Sequence, residues 1–118
     1  MKICVTAKGD NLDAQVDPRF GRCGYFIFVD TDTFEFEAVK NTNIEAMGGA
    51  GTQAAQLVAS KKVKAVISGS VGPNAFETLS AAGIEIIAGF SGTIREAVEK
   101  YKSGDLKASQ APTSKGIH

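Results

Sequence analysis

The segment Val63–Phe76, with the sequence VKAVISGSVGPNAF, determines the fold class. Its first five residues are mostly apolar and rich in β-branched side chains, which is typical of a strand buried in a parallel sheet. A glycine-rich loop follows, and Pro73 suits the first position of a helix. A buried strand that leads through a short loop into a helix is one unit of an α/β sheet. The second half of the chain is therefore predicted to alternate strands and helices.

The segments on either side of Val63–Phe76 extend this pattern. A first helix is predicted to start near Thr52, because apolar residues recur there with helical spacing. The second helix should end at Gly83, a residue that readily adopts the left-handed conformation of a helix stop. A fifth strand follows at Ile84–Ala88, and Thr93 and Glu96 have the spacing of a capping box at the start of a third helix that ends at Gly104. The apolar positions that support the three helices are Ala54, Ala55, Leu57 and Val58; Ala75, Phe76, Leu79 and Ala82; and Ile94, Ala97, Val98 and Tyr101.

The first forty residues contain three further strands and no helical pattern. Ile3–Ala7 and Tyr25–Val29 are short apolar runs, and Phe34–Val39 alternates apolar and polar residues like a half-exposed strand. The last two are predicted to form a hairpin. The order β-β-β-α-β-α-β-α predicts an α/β class with a five-stranded mixed sheet, in which an antiparallel meander precedes parallel crossovers, and three helices.

Length, charge and apolar content restrict the domain organisation and the kinds of partner that the chain can bind. Its 118 residues suit one domain, predicted over 1–108, with a flexible tail at 109–118 because that stretch is poor in apolar residues. The 13 basic and 13 acidic side chains balance, which argues against a nucleic-acid or membrane-surface binder. We expect a cytoplasmic protein, since no apolar run is long enough for a signal peptide or a membrane span.

Glycines are concentrated at one predicted edge of the sheet. Strands one, three, four and five should all point to this edge, which is where α/β sheets bind ligands. Lys8, Arg19 and Arg22 fall in its loops, and all three helices begin there, so that their free N–H groups should converge. This combination predicts an anionic ligand, although short connections also attract glycine without any function. Ten of the 13 glycines belong to this edge: Gly9, Gly21, Gly24, Gly48, Gly49, Gly51, Gly69, Gly72, Gly89 and Gly92.

The two cysteines have different expected roles. Cys4 lies within strand one and is predicted to be a buried structural residue. Cys23 lies in a cationic loop, where an exposed thiolate could bind a soft metal, or where the residue could simply be a small apolar group at a strand start. Met47 could offer a thioether to a metal or could serve packing alone.

Catalytic groups are scarce in the sequence. The single histidine, His118, is the last residue, and Asp10, Asp13 and Asp17 are interpreted as turn and solvent residues. Acid–base or nucleophilic catalysis needs convergent partners, and none can be assembled from these residues. The chain is therefore predicted not to be an enzyme.

Six stretches of the chain form a distinctive combination between Met1 and about Leu106. They are MKICVTA at 1–7, VDPRFGRC at 16–23, GGAGTQAA at 48–55, GSVGPNAF at 69–76, LSAAGI at 79–84 and GTIREA at 92–97. Together they resemble the dinitrogenase iron-molybdenum cofactor biosynthesis family, which includes small stand-alone members and the orange proteins.

The resemblance implies a ribonuclease-H-like fold and a non-catalytic carrier or storage role for a preassembled, anionic molybdenum-containing metal–sulfur cluster. The cluster would be Mo-Fe-S or Mo-Cu-S, held without covalent bonds or with Cys23 as a ligand, and exchanged with donor and acceptor proteins by a monomer or weak homodimer. The alternative is a regulatory or scaffold module that binds a nucleotide, a phosphate or a protein partner at the same edge. Matched by position, the cluster-binding candidates are Lys8, Arg19, Phe20, Gly21, Arg22, Cys23, Gly48, Gly49, Ala50, Gly51, Thr52, Gly69, Ser70, Val71, Gly72 and Asn74, with Cys23 and Met47 as possible metal ligands.

Overall fold

The computed structural model describes residues 1–42 and 50–109, which form five strands and three helices in the predicted order. The α/β class is confirmed, whereas the ribonuclease-H-like label stays a prediction. The strands are β1 (Lys2–Ala7), β2 (Tyr25–Asp30), β3 (Phe36–Lys40), β4 (Ala65–Ile67) and β5 (Glu85–Ile87), and the helices are α1 (Ala50–Ser60), α2 (Pro73–Ala81) and α3 (Ile94–Ser103).

The strands form one mixed sheet in the order β3-β2-β1-β4-β5. β2 is antiparallel to both β1 and β3, and β4 is parallel to both β1 and β5. Four strands therefore point to one edge of the sheet, as predicted, and β2 alone of these five runs away from it. The loops that follow β1, β4 and β5 lie at that edge, where β3 also ends, and we call it the loop edge.

Helices cover both faces of the sheet. One face packs with α1 and α2 around Cys4, Phe26 and Val66, and the other packs with α3 around Ile3 and Val5. β1 is buried on both sides, which explains why its sequence is apolar throughout instead of alternating. The predicted burial of Cys4 is confirmed, with none of its surface exposed.

Two details of the elements differ from the sequence prediction. β3 begins at Phe36 because Phe34 adopts a left-handed conformation (φ 63°) in the turn that follows β2. Ala82 was expected on the inner face of α2, but it lies beyond the end of the helix and is exposed. The helix ends there because Gly83 takes φ 78°.

The C-terminal segment stays with the domain further than predicted. The Ser109 N–H donates to the carbonyl oxygen of Ile86 at 2.6 Å, and the Ala88 N–H donates to Ser109 Oγ at 3.2 Å. Ser109 therefore covers the outer edge of β5 and is not the start of a free tail. Residues 110–118, which include the rest of the predicted tail and His118, lie outside the described residues.

α3 has the predicted termini. The Thr93 hydroxyl accepts the Glu96 N–H at 3.1 Å, and the Glu96 carboxylate accepts the Thr93 N–H at 2.8 Å, which completes the capping box. Gly104 ends the helix in a left-handed conformation, with φ 80°. None of the helices formed by residues 1–42 and 50–109 is both long and apolar enough to cross a membrane.

Candidate functional site at the loop edge

Two loops are fastened together at the loop edge. The loop after β1 contributes Pro18 and Phe20, and the loop after β4 contributes Ser70. The Ser70 N–H donates to the Pro18 carbonyl at 2.7 Å, the Phe20 N–H donates to the Ser70 carbonyl at 3.2 Å, and Ser70 Oγ donates to the Pro18 carbonyl at 2.9 Å. These bonds form a short parallel bridge between Arg19 and Ser70. They hold the segment that carries Arg19 against the start of α2.

Close contact between the loops depends on Gly69. A Cβ atom at this position would lie 2.5 Å from the Pro18 Cα and 2.8 Å from the Pro18 Cβ, well inside van der Waals contact. Glycine is therefore required here because the Pro18 backbone occupies the space of a side chain.

A buried carboxylate organises residues 17–24 of the loop after β1, which carry Arg19 and Arg22 and which we call the arginine loop. The Asp17 side chain is 3% exposed, and its Oδ1 accepts the Arg19 backbone N–H at 3.0 Å and Arg19 Nε at 3.2 Å. Its Oδ2 accepts Arg19 Nη2 at 3.3 Å and the Gly24 N–H at 3.3 Å. Asp17 was interpreted from sequence as a turn and solvent residue, and that interpretation is wrong because the carboxylate is enclosed by donors from both ends of the loop.

The backbone of Asp17 is fixed to the sheet by a small buried polar group. The Asp17 N–H donates to the Thr6 carbonyl at 2.9 Å, and the Thr6 hydroxyl donates to the Asp17 carbonyl at 2.8 Å. Ser68 Oγ lies 2.9 Å from the Thr6 hydroxyl, and both residues are completely buried. The arginine loop is thus anchored to the ends of β1 and β4.

The N-termini of α1 and α2 lie side by side at the same edge. A Cβ atom on Gly51, in the first turn of α1, would be 3.7 Å from the Cβ of Ala75 in the first turn of α2. Neither of these first turns carries an acidic side chain, and no side chain caps α2. Since the first N–H groups of a helix have no partner within the helix, those of Asn74 and Ala75 can donate to an anion.

The third helix does not join this arrangement, contrary to the sequence prediction. The Ile94 N–H donates to the Ala14 carbonyl, and the Arg95 N–H donates to the Leu12 carbonyl, both at 2.9 Å. With the capping box, these bonds occupy the N–H groups of its first turn. The α3 N-terminus therefore fastens the loop after β1 and is not open to a ligand.

Cys23 is the largest correction to the predicted site. It was proposed as a possible exposed thiolate, but none of its surface is exposed, and it packs with Phe20 and Phe26 in the core. Burial, followed by the charge of Asp17, raises the pKa of the Cys23 thiol to about 12. A neutral thiol enclosed in this way is a poor ligand for a metal at the loop edge.

The raised thiol pKa gives a testable pH dependence. The unfolded chain releases the Cys23 proton from about pH 9, whereas the folded chain keeps it to about pH 12, so stability should fall as the pH rises across this range. Burial also raises the pKa of the Cys4 thiol, so both cysteines should contribute to the loss of stability between pH 8 and pH 10. In urea unfolding, the loss over this range should be about 1 kcal/mol smaller in Cys23→Ala than in wild type. Folded protein should also resist iodoacetamide at pH 8, and rapid alkylation of Cys23 there would contradict this account.

Two other predicted site residues turn their side chains into the core. Phe20 is 2% exposed and its ring packs edge-on against Phe26, with 5.9 Å between ring centres, while Val71 is fully buried. Lys8 is exposed, and its N–H donates to the carbonyl of Gln15, beside the start of α3.

The remaining described candidates lie at the loop edge: Arg19, Gly21, Arg22, Ala50, Gly51, Thr52, Gly69, Ser70, Gly72 and Asn74. Met47, Gly48 and Gly49 lie outside the described residues.

Asn41 was not singled out from sequence. Its side-chain amide donates to the carbonyls of Gly21 at 3.1 Å and Cys23 at 3.0 Å, and the residue is 6% exposed. It therefore closes the arginine loop from the end of β3. In the sequence, an asparagine after a strand is indistinguishable from an ordinary turn residue.

The fold and these contacts define a small α/β domain with a basic, glycine-rich loop edge. A match to the family described as dinitrogenase iron-molybdenum cofactor covers residues 1–104, and the chain belongs to that family.

Individual relatives agree with this assignment. The structure is similar to the apo form of the orange protein from Desulfovibrio gigas, with 39% identity, a TM-score of 0.92 and 96% of each chain covered. It is also similar to a NifB-like protein of the DUF35 family from Thermotoga, with 36% identity, a TM-score of 0.83 and 98% of each chain covered. An uncharacterized protein from Methanocaldococcus jannaschii is 31% identical over 110 residues, which are 91% of this chain and 90% of that protein.

Proposed function

We propose that this protein is a non-catalytic carrier or storage protein for an anionic, molybdenum-containing metal–sulfur cluster. The family points to a cluster-related role, and the observation that carries the proposal is the pair of adjacent helix N-termini beside the arginine loop. The binding surface would consist of the first turns of α1 and α2 together with Arg19 and Arg22.

The physical chemistry of this surface suits an anion. Helix N-termini carry partial positive charge, and the first turns of α1 and α2 contain no acidic side chain that would offset it. The Arg19 side chain is 60% exposed, and Arg22 is exposed, so both can contact a ligand from the solvent side. Sulfides at the surface of a cluster could accept hydrogen bonds from backbone N–H groups and guanidinium groups together.

The cargo would be held without a thiolate bond. Cys23 is buried and protonated, so charge and N–H donors would supply the affinity. Such binding is reversible, which suits a protein that takes a cluster from a donor and passes it to an acceptor. The buried carboxylate of Asp17 is already occupied by N–H donors and is poorly placed to act as an acid or base.

Anaerobic titration of the wild-type protein tests the proposal. Tetrathiomolybdate would be added alone, with copper(I) or with iron(II), and the visible spectrum and metal content would be measured after desalting. We expect a stoichiometric chromophore that stays with the protein, and the added metal that produces it would distinguish Mo-Cu-S from Mo-Fe-S cargo. No chromophore with any metal, together with thermal stabilisation by nucleotides, would contradict the proposal and favour a regulatory module.

A further inference from the structure

We propose that Asp17 is a positioning residue that orients the Arg19 guanidinium toward the anion, and that this orientation, beyond the positive charge of Arg19, sets the affinity of the loop edge. The inference rests on the proposed function above. The Asp17 carboxylate lies beside the proposed anion site, where its negative charge by itself would weaken anion binding.

The geometry of the ion pair supports this role. Arg19 Nε lies 3.2 Å from Asp17 Oδ1, and Arg19 Nη2 lies 3.3 Å from Asp17 Oδ2. This is the two-point contact in which a carboxylate fixes the plane of a guanidinium. A guanidinium has five N–H groups, so the others stay available to a ligand. The exposed fractions differ sharply, at 3% for the Asp17 side chain and 60% for Arg19.

Asp17 is rigid enough to act as such an anchor. Its N–H and its carbonyl oxygen are both bonded to Thr6 in β1, at 2.9 Å and 2.8 Å. Its carboxylate also accepts the Gly24 N–H, which closes the loop from the other end. The sheet therefore holds Asp17 in place, Asp17 orients the Arg19 guanidinium, and no ligand is needed for this orientation.

Charge and orientation lead to opposite expectations for one substitution. Asp17→Asn removes a negative charge beside the site, so bulk electrostatics alone would strengthen anion binding. If Asp17 orients Arg19, the same change should weaken it, because an asparagine amide cannot accept both guanidinium contacts. The sign of the effect thus separates the two explanations.

The chain offers a matched control in the same loop. Asp13 Oδ1 lies 3.2 Å from Arg95 Nε, the same distance as in the Asp17–Arg19 pair, but the Asp13 side chain is 79% exposed. Asp13→Asn changes the net charge equally. We expect Asp17→Asn to bind tetrathiomolybdate at least tenfold more weakly than wild type, and Asp13→Asn to bind within about twofold of it. Equal or tighter binding by Asp17→Asn would overturn the inference.

A double-mutant cycle tests whether Asp17 acts through Arg19. In an Arg19→Ala background, Asp17→Asn should change the affinity less than about twofold, because the group it orients is gone. A full tenfold further loss in that background would assign Asp17 a purely structural role. Arg19→Lys covers the case in which Asp17→Asn fails to fold, since it retains the charge without the planar fork. It should bind at least about fivefold more weakly than wild type, and wild-type affinity would overturn the inference.

A measurement without cargo separates failure of this inference from failure of the proposed function. In ¹⁵N-labelled protein, the Arg19 Nε–H should exchange slowly with solvent in wild type and in Asp13→Asn, and rapidly in Asp17→Asn. Slow exchange in Asp17→Asn would overturn the positioning role even if tetrathiomolybdate binds. If wild type binds no tetrathiomolybdate, the proposed function and the claim about affinity both fail, whatever the exchange data show about the ion pair.

Discussion

Replacing Arg19 and Arg22 together by alanine is expected to lower the affinity for tetrathiomolybdate about a hundredfold or more. Each arginine is an exposed cation in the loop that lies against the start of α2. A hydrogen bond to a charged group contributes about 1.5–3 kcal/mol, so losing two should cost at least about 3 kcal/mol of binding free energy. Visible-absorbance titration at low and moderate salt measures the loss, and the salt dependence should weaken as well.

The control for this variant removes the same charge from the other face of the sheet. Arg95→Ala/Lys100→Ala deletes two cations on α3, whose N-terminus is occupied by the carbonyls of Leu12 and Ala14. We expect its affinity to stay within about threefold of wild type, since distant exposed charges are screened. Equal losses in the two double variants would mean that net charge, and not a site at the loop edge, governs binding.

Gly69→Ala is expected to destabilise the protein strongly, because Pro18 of the neighbouring loop occupies the space of the added methyl group. The added methyl group would meet the Pro18 Cα at 2.5 Å and the Pro18 carbonyl oxygen at 3.0 Å, so the backbone of one loop must move. Overpacking against backbone costs about 3 kcal/mol, and the Ser70–Pro18 bonds would be strained as well. Urea unfolding monitored by circular dichroism measures the change.

Gly24→Ala is the matched control for this collision. A Cβ atom there would lie 3.5 Å from the nearest atom, the Ala7 carbonyl oxygen, which is ordinary contact. Its unfolding free energy should stay within about 1 kcal/mol of wild type. Equal unfolding free energies for Gly69→Ala and Gly24→Ala would contradict the close contact between the arginine loop and the loop after β4. The proposed site would then lack the contact that holds Arg19 in place.

Much of the fold could be predicted because local signals and burial agree. Pro73, Gly83 and Gly104 mark helix ends through backbone conformations that few other residues supply, and the apolar strands identified the buried centre of the sheet. Strand direction then placed the glycine loops at one edge. The errors fell where tertiary contacts decide: the turn at Phe34 and the docking of Ser109 on β5 have no pattern in their own sequence.

The site was predictable in its location but not in its contacts. Loop membership identified Arg19, Arg22 and the glycines, because strand order fixes which loops meet. It could not show that Cys23 turns inward, since residues on either side of it are polar or small and gave no sign of a buried position. Loop membership also could not show that the carbonyls of Leu12 and Ala14 would accept the N–H groups at the start of α3, or that the Asp17 carboxylate would be buried. Both features depend on how the loop after β1 folds back on the sheet.

A ¹H–¹⁵N NMR titration of the labelled wild-type protein with tetrathiomolybdate, under anaerobic conditions and with the productive metal added, tests the location of the site most directly. The account predicts the largest amide shifts in the first turns of α1 and α2 and in residues 19–22, together with the Arg19 and Arg22 side chains. The first turn of α3 should shift little, because its N–H groups are already bonded within the protein. Dominant shifts in α3, or no saturable shifts at the loop edge, would contradict it.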